Sequence, residues 1–160
     1  MLDGNQCRRK RVGFLPKVAV LGGGGYIGRG LLQWFSQIPG FHAVGVCRRP
    51  EQARELQALG FESVALDLDD PALPARLTAC DAVVDAIRPA GRIPQWRETE
   101  RRIARLIASL PPHIAAVYLS SVSLFAQFYS DAQREAEKPS ARDVYARNKR
   151  WMEALLRRDA

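Results

Sequence analysis

Short apolar runs alternate with segments of helical periodicity along most of the chain. Runs of this length are typical of buried strands, and the segments between them place apolar residues at helical spacing. The predicted strands are Lys17 to Leu21, His42 to Cys47, Ser63 to Leu66, Ala82 to Ala86 and Ala115 to Leu119. The predicted helices are Tyr26 to Gln37, Glu51 to Leu59, Ala72 to Thr78, Glu98 to Leu110 and Val144 to Arg158. This alternation predicts an α/β fold with a parallel sheet covered on both faces.

The connections between the strands fix the expected topology. Right-handed crossovers turn this series into a doubly wound parallel sheet of three αβα layers with strand order 3-2-1-4-5. Ligands of such sheets bind at the carboxyl ends of the strands, where the strand order reverses. We therefore expect a ligand crevice above the first and fourth strands.

A glycine-rich turn follows the first strand, with the sequence Gly22-Gly23-Gly24-Gly25-Tyr26-Ile27-Gly28. Glycines between a strand and a helix let backbone N–H groups and the helix N-terminus approach a pyrophosphate. Two glycine registers fit, one beginning at Gly22 and one at Gly23, and the spacing does not choose between them. A flexible loop without a ligand is the alternative, but the flanking strand and helix favour a dinucleotide site that includes Tyr26 and Ile27.

Charged residues stand at the ends of the second and third predicted strands. Arg48 and Arg49 follow the second strand, where an acidic residue would bind the ribose 2′-hydroxyl of NAD and an arginine would bind the 2′-phosphate of NADP. The pair favours NADP over NAD, although it could also be solvated surface. Asp67 and Leu68 close the third strand and could flank an adenine ring, or Asp67 could cap the following helix.

A second group of candidate residues lies near the C-terminus. Ser120 and Ser121 follow the fifth strand, at the carboxyl edge of the sheet. Tyr145 and Lys149 are four residues apart on the last helix, so they share one face, where the ammonium can lower the pKa of the phenol. A tyrosine acidified in this way is suited to general acid catalysis.

The glycine turn, Arg48, Asp67-Leu68, Ser120-Ser121 and the Tyr145/Lys149 pair together resemble the short-chain dehydrogenase/reductase superfamily, in its extended epimerase/dehydratase-like branch. The resemblance extends from Val18 onward and implies a Rossmann fold. It implies that Gly22, Gly25 and Gly28 hold the pyrophosphate and Arg48 the 2′-phosphate. Ser121 would orient the substrate oxygen and Tyr145 would transfer the proton. Lys149 would bind the nicotinamide ribose and activate Tyr145.

The chain also departs from this family. Phe125 and Ala126 replace a usual Tyr-Gly, Leu21 replaces a common threonine, and Trp96 stands near a frequent asparagine. Family members continue beyond the Tyr-Lys helix into a C-terminal substrate-binding portion, which this chain, ending at Ala160, is expected to lack. These features indicate an atypical member, either a fragment or a chain completed by another polypeptide.

The length, cysteine content and net charge of the chain limit the kinds of protein it can be. The 160 residues, of which 47% are hydrophobic, predict a disordered basic N-terminal tail over 1–16 and a single NAD(P)-binding domain over 17–160. The three cysteines are widely spaced and predict free thiols, and neither a disulfide framework nor a metal site. The net charge of +7 resides in the tail and on helix faces, so we expect no nucleic-acid partner. No apolar run is long enough for a membrane span, and we expect a cytoplasmic protein.

The resulting functional hypothesis is an NADP-dependent oxidoreductase acting on a small-molecule carbonyl or alcohol, alone or within an epimerase or dehydratase cycle. Helices near 98–110 and 144–158 correspond to those that pair between subunits in the family, so a homodimer is expected. Two alternatives remain open. One is a non-catalytic NADP-binding sensor or regulatory module, and the other is a truncated, inactive fragment.

Overall fold

The computed structural model describes residues 16–89, 93–120 and 144–158. The strands are β1 (Lys17–Leu21), β2 (His42–Cys47), β3 (Glu62–Ala65), β4 (Ala82–Asp85) and β5 (Ala115–Tyr118). The helices are α1 (Tyr26–Ser36), α2 (Pro50–Ala58), α3 (Ala72–Thr78), α4 (Ile93–Ala108) and α5 (Val144–Arg158). The predicted disordered tail falls outside the described residues, apart from its last residue.

All five strands form one parallel sheet in the order β3-β2-β1-β4-β5. This is the predicted doubly wound topology, which is confirmed. Because β1 lies at the centre, the chain winds outward first through β2 and β3 and then through β4 and β5. The connection after β1 leads to one side of the sheet and the connection after β4 leads to the other side. The carboxyl ends of β1 and β4 therefore border the crevice.

Alternate residues of β1 face opposite layers. Val20 packs with Leu32 of α1 and Leu56 of α2, which are fully buried on one face of the sheet. Leu21 packs on the other face with Leu73 of α3 and Leu106 of α4. The side-chain period of two along a strand thus supplies both cores, and the three-layer arrangement is confirmed.

The largest error in the predicted elements concerns α4. The sequence pattern placed its start near Glu98, whereas the helix begins at Ile93 and ends at Ala108. Pro94 falls in the first turn of the helix, where the N–H that proline lacks has no acceptor within the helix, so the proline is tolerated. Glu100 and Arg102, which fall within both the predicted and the observed helix, contact Tyr118 at the end of β5 and Asp67 after β3, respectively.

The fifth helix packs on α4. Met152 of α5 is fully buried against Ile103 and Ala104 of α4, and Tyr118 at the end of β5 borders the same cluster. Among the helices of the described residues, none is long and apolar enough to cross a membrane.

Candidate functional site

The glycine turn is bonded to the neighbouring strand by its backbone. The N–H groups of Gly22 and Gly23 both donate to the carbonyl oxygen of Val46, at 3.0 and 3.1 Å. Gly22 has a φ of 75°, a left-handed conformation that glycine adopts without strain. The turn therefore leaves β1 sharply and passes over the end of β2.

Close backbone contacts explain why several turn positions are glycine. A Cβ on Gly28 would overlap the carbonyl oxygen of Gly22, and a Cβ on Gly23 would lie 2.8 Å from the Cα of Gly45 in β2. A Cβ on Gly22 would lie 3.0 Å from the backbone of Ala86. The close backbone contacts therefore require glycine at both Gly22 and Gly23. For this reason the structure is consistent with both of the glycine spacings found in the sequence.

The first turn of α1 has unpaired donors. Gly25 is the N-cap, and the first intrahelical bond runs from the N–H of Arg29 to the carbonyl of Gly25. The N–H groups of Tyr26, Ile27 and Gly28 therefore lack acceptors within the helix. With the side chains of Tyr26 and Ile27 exposed, this end of α1 suits an anionic ligand such as a pyrophosphate.

A cavity of about 390 Å³ opens beside this turn. Its walls come from the carboxyl ends of the first four strands, as expected for this topology, and from the helices α1 to α4. The glycine-turn residues in its lining are Gly22, Gly24, Gly25, Tyr26 and Ile27. A cradle in which an added Cβ on Gly22, Gly23 or Gly28 would crowd the backbone, next to helix N–H groups without intrahelical acceptors, fits the phosphates of a dinucleotide.

The two arginines after β2 have different positions. Arg48 is exposed and lines the cavity, and no carboxylate of the described residues lies within ion-pair distance of it. Arg49 is the N-cap of α2, where its carbonyl accepts the N–H of Gln52, and it does not line the cavity. Arg48 is therefore the better placed of the two for a 2′-phosphate.

The carboxylates after β3 form ion pairs with a side chain of α4. The guanidinium of Arg102 forms ion pairs with Asp67 and, at 2.8 Å, with Asp69. Burial raises the pKa of Asp67, but the Asp69 N–H and the Arg102 guanidinium outweigh burial, so its pKa lies below the usual value. Asp67 remains an anion that lines the cavity together with Leu68.

The helix-cap alternative for Asp67 is not what the structure shows. The side chain that accepts an N–H at the start of α3 is Asp70, whose Oδ1 lies 2.9 Å from the nitrogen of Ala72. Asp67 instead accepts the N–H of Asp69 at 3.3 Å. Its carboxylate is left at the rim of the cavity, as the adenine-flanking interpretation requires.

A second polar cluster surrounds Lys149. Its Nζ donates to the carbonyl oxygen of Leu119 at 3.0 Å, lies 4.4 Å from the ring centroid of Tyr118, and stands 4.0 Å from Oε1 of Glu100. The Tyr118 hydroxyl lies 3.3 Å from both oxygens of Glu100. Glu100 and Lys149 are both buried, at 3% and 7% exposure.

Asp85, the last residue of β4, belongs to this cluster. Burial raises its pKa to about 7, and the negative charge of Glu100 adds to that effect, while the Ile87 N–H and Lys149 oppose it. Its Oδ1 accepts the N–H of Ile87 at 3.0 Å, and Ile87 lines the cavity. Asp85 thus connects the buried cluster to the cavity wall.

Only part of the predicted catalytic group can be located. Ser121 lies outside the described residues, and for Tyr145 the structure places the backbone in α5 but does not describe the side chain. Lys149 is described, and it does not line the cavity. Ser120, next to Ser121, donates a hydrogen bond from its hydroxyl to Glu153.

The sequence reasoning missed Glu100, Arg102 and Asp85. Glu100 shares the inward face of α4 with Ile103 and Ala104, at the spacing that marks the buried side of a helix. Asp85 directly ends a buried strand, the same pattern that drew attention to Asp67. Arg102 had no pattern to distinguish it among the arginines of α4. The described residues hold no group of three His, Cys, Asp or Glu side chains suited to a metal ion.

Solved structures share this fold. UDP-glucuronic acid 4-epimerase from Bacillus cereus, in complex with NAD, is 19% identical with a TM-score of 0.69, covering 89% of this chain and 52% of its own. UDP-N-acetylglucosamine 4-epimerase from the same organism is 22% identical, with a TM-score of 0.69 and coverages of 89% and 54%. A dTDP-glucose 4,6-dehydratase from Bacillus anthracis, in complex with NAD, is 15% identical, with a TM-score of 0.69 and coverages of 88% and 49%.

The parallel sheet, its order and the glycine turn at the end of β1 define a Rossmann-type dinucleotide-binding domain. A family model described as the NAD dependent epimerase/dehydratase family matches residues 18–159. The chain belongs to this family of enzymes, which confirms the resemblance found in the sequence. It spans about half the length of the solved structures it matches. No curated protein matches it significantly.

Proposed function

We propose that this domain binds a nicotinamide adenine dinucleotide phosphate across the carboxyl edge of its sheet. The observation that carries the proposal is the glycine turn, where backbone contacts exclude side chains and the first N–H groups of α1 lack intrahelical partners. The pyrophosphate would lie on the N–H groups of Tyr26, Ile27 and Gly28. The adenine would lie near Asp67 and Leu68.

Arg48 supports NADP as the preferred form. It forms no ion pair with a carboxylate of the described residues, although its charge helps to lower the pKa of Asp67, and it stands at the position after β2 where the ribose substituent lies in this fold. The nearby carboxylate of Asp67 is held by Arg102, so it opposes a bound phosphate less strongly. Two of the solved structures above were obtained with NAD, so the choice depends on Arg48.

The proposed reaction is hydride transfer at a carbonyl or alcohol carbon of a small-molecule substrate, alone or as one step of an epimerase or dehydratase cycle. When bound, the nicotinamide supplies the group that accepts or returns the hydride. Tyr145 would exchange the proton of the substrate oxygen, and Ser121 would orient that oxygen. Lys149 would hold the nicotinamide ribose and keep the Tyr145 phenol acidic.

We further propose a homodimer through α4 and α5. These helices pack on each other through Ile103 and Met152, and Trp151 remains 37% exposed beside the guanidinium of Arg101 at 5.9 Å. Partly exposed aromatic and arginine side chains are typical of the centres of interfaces. Light scattering over a range of concentrations tests this assembly, and a monomer throughout would contradict it.

The dinucleotide proposal is tested by isothermal titration calorimetry of the purified chain with NADPH and, separately, with NADH. We expect both to bind and NADPH to bind more tightly. Tighter NADH binding would overturn the preference for NADP. If circular dichroism shows a folded chain and neither NADPH nor NADH produces heat on titration, the proposal as a whole is overturned.

A further inference from the structure

The carboxylate of Glu100 is one of the most buried charged groups of the described chain, with 3% exposure. It comes from α4 and faces Tyr118 of β5 and Lys149 of α5, so three different elements contribute to one small cluster. A charged side chain is costly to bury unless it is paired. Its burial needs a reason, which the proposed roles of Tyr145 and Lys149 do not by themselves supply.

The surroundings of Lys149 provide that reason. Its ammonium donates to the Leu119 carbonyl and lies over the face of the Tyr118 ring, which is attractive to a cation. Neither of these partners carries a compensating negative charge. Glu100, at 4.0 Å, supplies that charge when it is ionised, and the Tyr118 hydroxyl holds it in place at 3.3 Å from both carboxylate oxygens. Burial raises the pKa of Glu100, while the charge of Lys149 and the Tyr118 hydrogen bond oppose that effect.

We propose that Glu100 is a positioning residue for Lys149: together with the Tyr118 hydroxyl, its buried carboxylate keeps the Lys149 ammonium charged and fixed beneath the Leu119 carbonyl. This inference rests on the proposed function in one respect, namely that Lys149 holds the ribose and acidifies Tyr145. Both tasks require a charged amine in a fixed place, because a neutral amine has no electrostatic effect on the phenol.

Asp85 has a secondary part in the same arrangement. Two carboxylates face one ammonium here, and burial together with the charge of Glu100 raises the pKa of Asp85. When Glu100 is ionised, its negative charge favours the protonated form of Asp85. Loss of Glu100 would let Asp85 ionise and replace part of the missing charge, so the effect of a single substitution is reduced and that of a double substitution is larger.

The chain suits a direct measurement, because its sequence contains only four lysines, at positions 10, 17, 138 and 149. The pKa of Lys149 is measured by NMR of isotope-labelled lysine side chains, with Lys149→Arg used to assign its resonance. Glu100→Gln keeps the shape of the side chain and removes its charge. We expect the pKa of Lys149 to be lower in this variant than in the wild-type protein, because the substitution removes a negative charge beside a buried ammonium.

Glu98→Gln is the matched control. Glu98 lies on the exposed side of the same helix, where it pairs with Arg101 and Arg105, and its substitution should leave the Lys149 pKa unchanged. The pKa of Lys149 is expected to be lower in the double variant Asp85→Asn/Glu100→Gln than in Glu100→Gln. Should Glu100→Gln fail to fold, Glu100→Asp supplies the test, since its carboxylate is retained farther from the ammonium, and a smaller fall is expected.

Dinucleotide binding separates this inference from the proposed function. We expect the affinity of Glu100→Gln for NADPH to decline as the pH rises through the lowered pKa of Lys149, with a flatter profile in the wild-type protein. An unchanged Lys149 pKa in Glu100→Gln overturns the positioning role, whether or not the wild-type protein binds NADPH. A wild-type protein that binds neither NADPH nor NADH overturns the proposed function, while the effect of Glu100 on the Lys149 pKa is still measured.

Discussion

Gly28 lies so close to Gly22 that a Cβ on Gly28 would overlap the carbonyl oxygen of Gly22, so that the first turn of α1 rests on the turn that leaves β1. No side chain fits between the two residues. This contact sets the height at which the N–H groups of α1 stand above the sheet. It therefore determines whether a pyrophosphate can reach them.

Gly28→Ala should consequently destabilise the domain and abolish dinucleotide binding. The added methyl overlaps backbone atoms that cannot rotate away, and overpacking of this kind costs about 3 kcal/mol or more. Chemical denaturation measures the loss of stability, and calorimetry with NADPH measures binding. A Gly28→Ala protein with wild-type stability would show that the turn can open at little cost.

Gly30 provides the control on the same helix. A Cβ there meets nothing within 4 Å, and its φ is that of an ordinary helical residue. Gly30→Ala should stabilise the protein by about 1 kcal/mol, because alanine favours the helix over glycine, and should leave binding unchanged. If the free energy of unfolding falls in Gly28→Ala and rises in Gly30→Ala, the loss at Gly28 is due to the close contact and not to helix propensity.

The sequence was sufficient to predict the topology of the sheet but not the separate roles of Gly22 and Gly23. The alternation of apolar runs and helical segments was enough to predict the strand order, because right-handed crossovers leave few topologies. The spacing of the glycines could not rank Gly22 against Gly23. Gly22 is required by its positive φ and by the nearby backbone of Ala86, and Gly23 is required by the approach of Gly45. Ala86 and Gly45 are distant from the turn in sequence, so the spacing of the glycines does not reveal these contacts.

Arg48 should determine the preference between the two dinucleotides. Arg48→Ala is expected to weaken NADPH binding about tenfold or more and to affect NADH little, because a charged hydrogen bond to phosphate is lost only with NADPH. Calorimetry with both compounds measures the ratio. Equal losses for NADPH and NADH would place Arg48 away from the 2′-phosphate.

Arg49→Ala is the comparison for that experiment. The sequence predicted both arginines as ligands, whereas Arg49 caps α2 through its backbone and does not line the cavity. We expect its substitution to change NADPH binding less than Arg48→Ala does. A larger effect at Arg49 would reverse the assignment between the two side chains.

Arg102 should influence the same preference from a distance. Arg102→Gln leaves Asp67 and Asp69 without their shared cation, and the uncompensated charges should repel a nearby phosphate. We expect NADPH affinity to fall several-fold, with a smaller effect on NADH, and the effect to shrink as salt is added. Arg105→Gln, which removes an exposed pair with Glu98 on the same helix, should change neither affinity.

The residues that sequence reasoning missed have a common physical cause. Glu100, Arg102 and Asp85 acquire their importance from partners on other elements, 18 to 49 positions away for Glu100 with Tyr118 and Lys149. The predicted start of α4 was too late because Pro94 usually indicates a position outside a helix, whereas here it lies in the first turn. A buried carboxylate on a helix face otherwise rich in apolar side chains is the one feature that could have identified Glu100 in advance.

The stability of the protein should fall as the pH rises through the range in which Asp85 titrates. Burial raises the pKa of Asp85 from 3.8 to about 7 in the folded protein. Between these values the folded state binds a proton that the unfolded state has released, so protonation stabilises the fold at low pH. The contribution is fully present below pH 3.8 and is lost as the pH approaches 7.

Asp85→Asn isolates this contribution, because an asparagine oxygen can still accept the Ile87 N–H but cannot ionise. Relative to this variant, the wild-type free energy of unfolding should fall by a few kcal/mol between pH 4 and 7.5, on the order of what a shift of this size implies. Urea denaturation at a series of pH values measures both proteins, with Glu98→Gln as the exposed-carboxylate control. Parallel curves for the wild-type protein and Asp85→Asn would mean that Asp85 is already ionised beside Lys149 throughout this range. In that case Lys149 would have Asp85, rather than Glu100 alone, as its resident counterion.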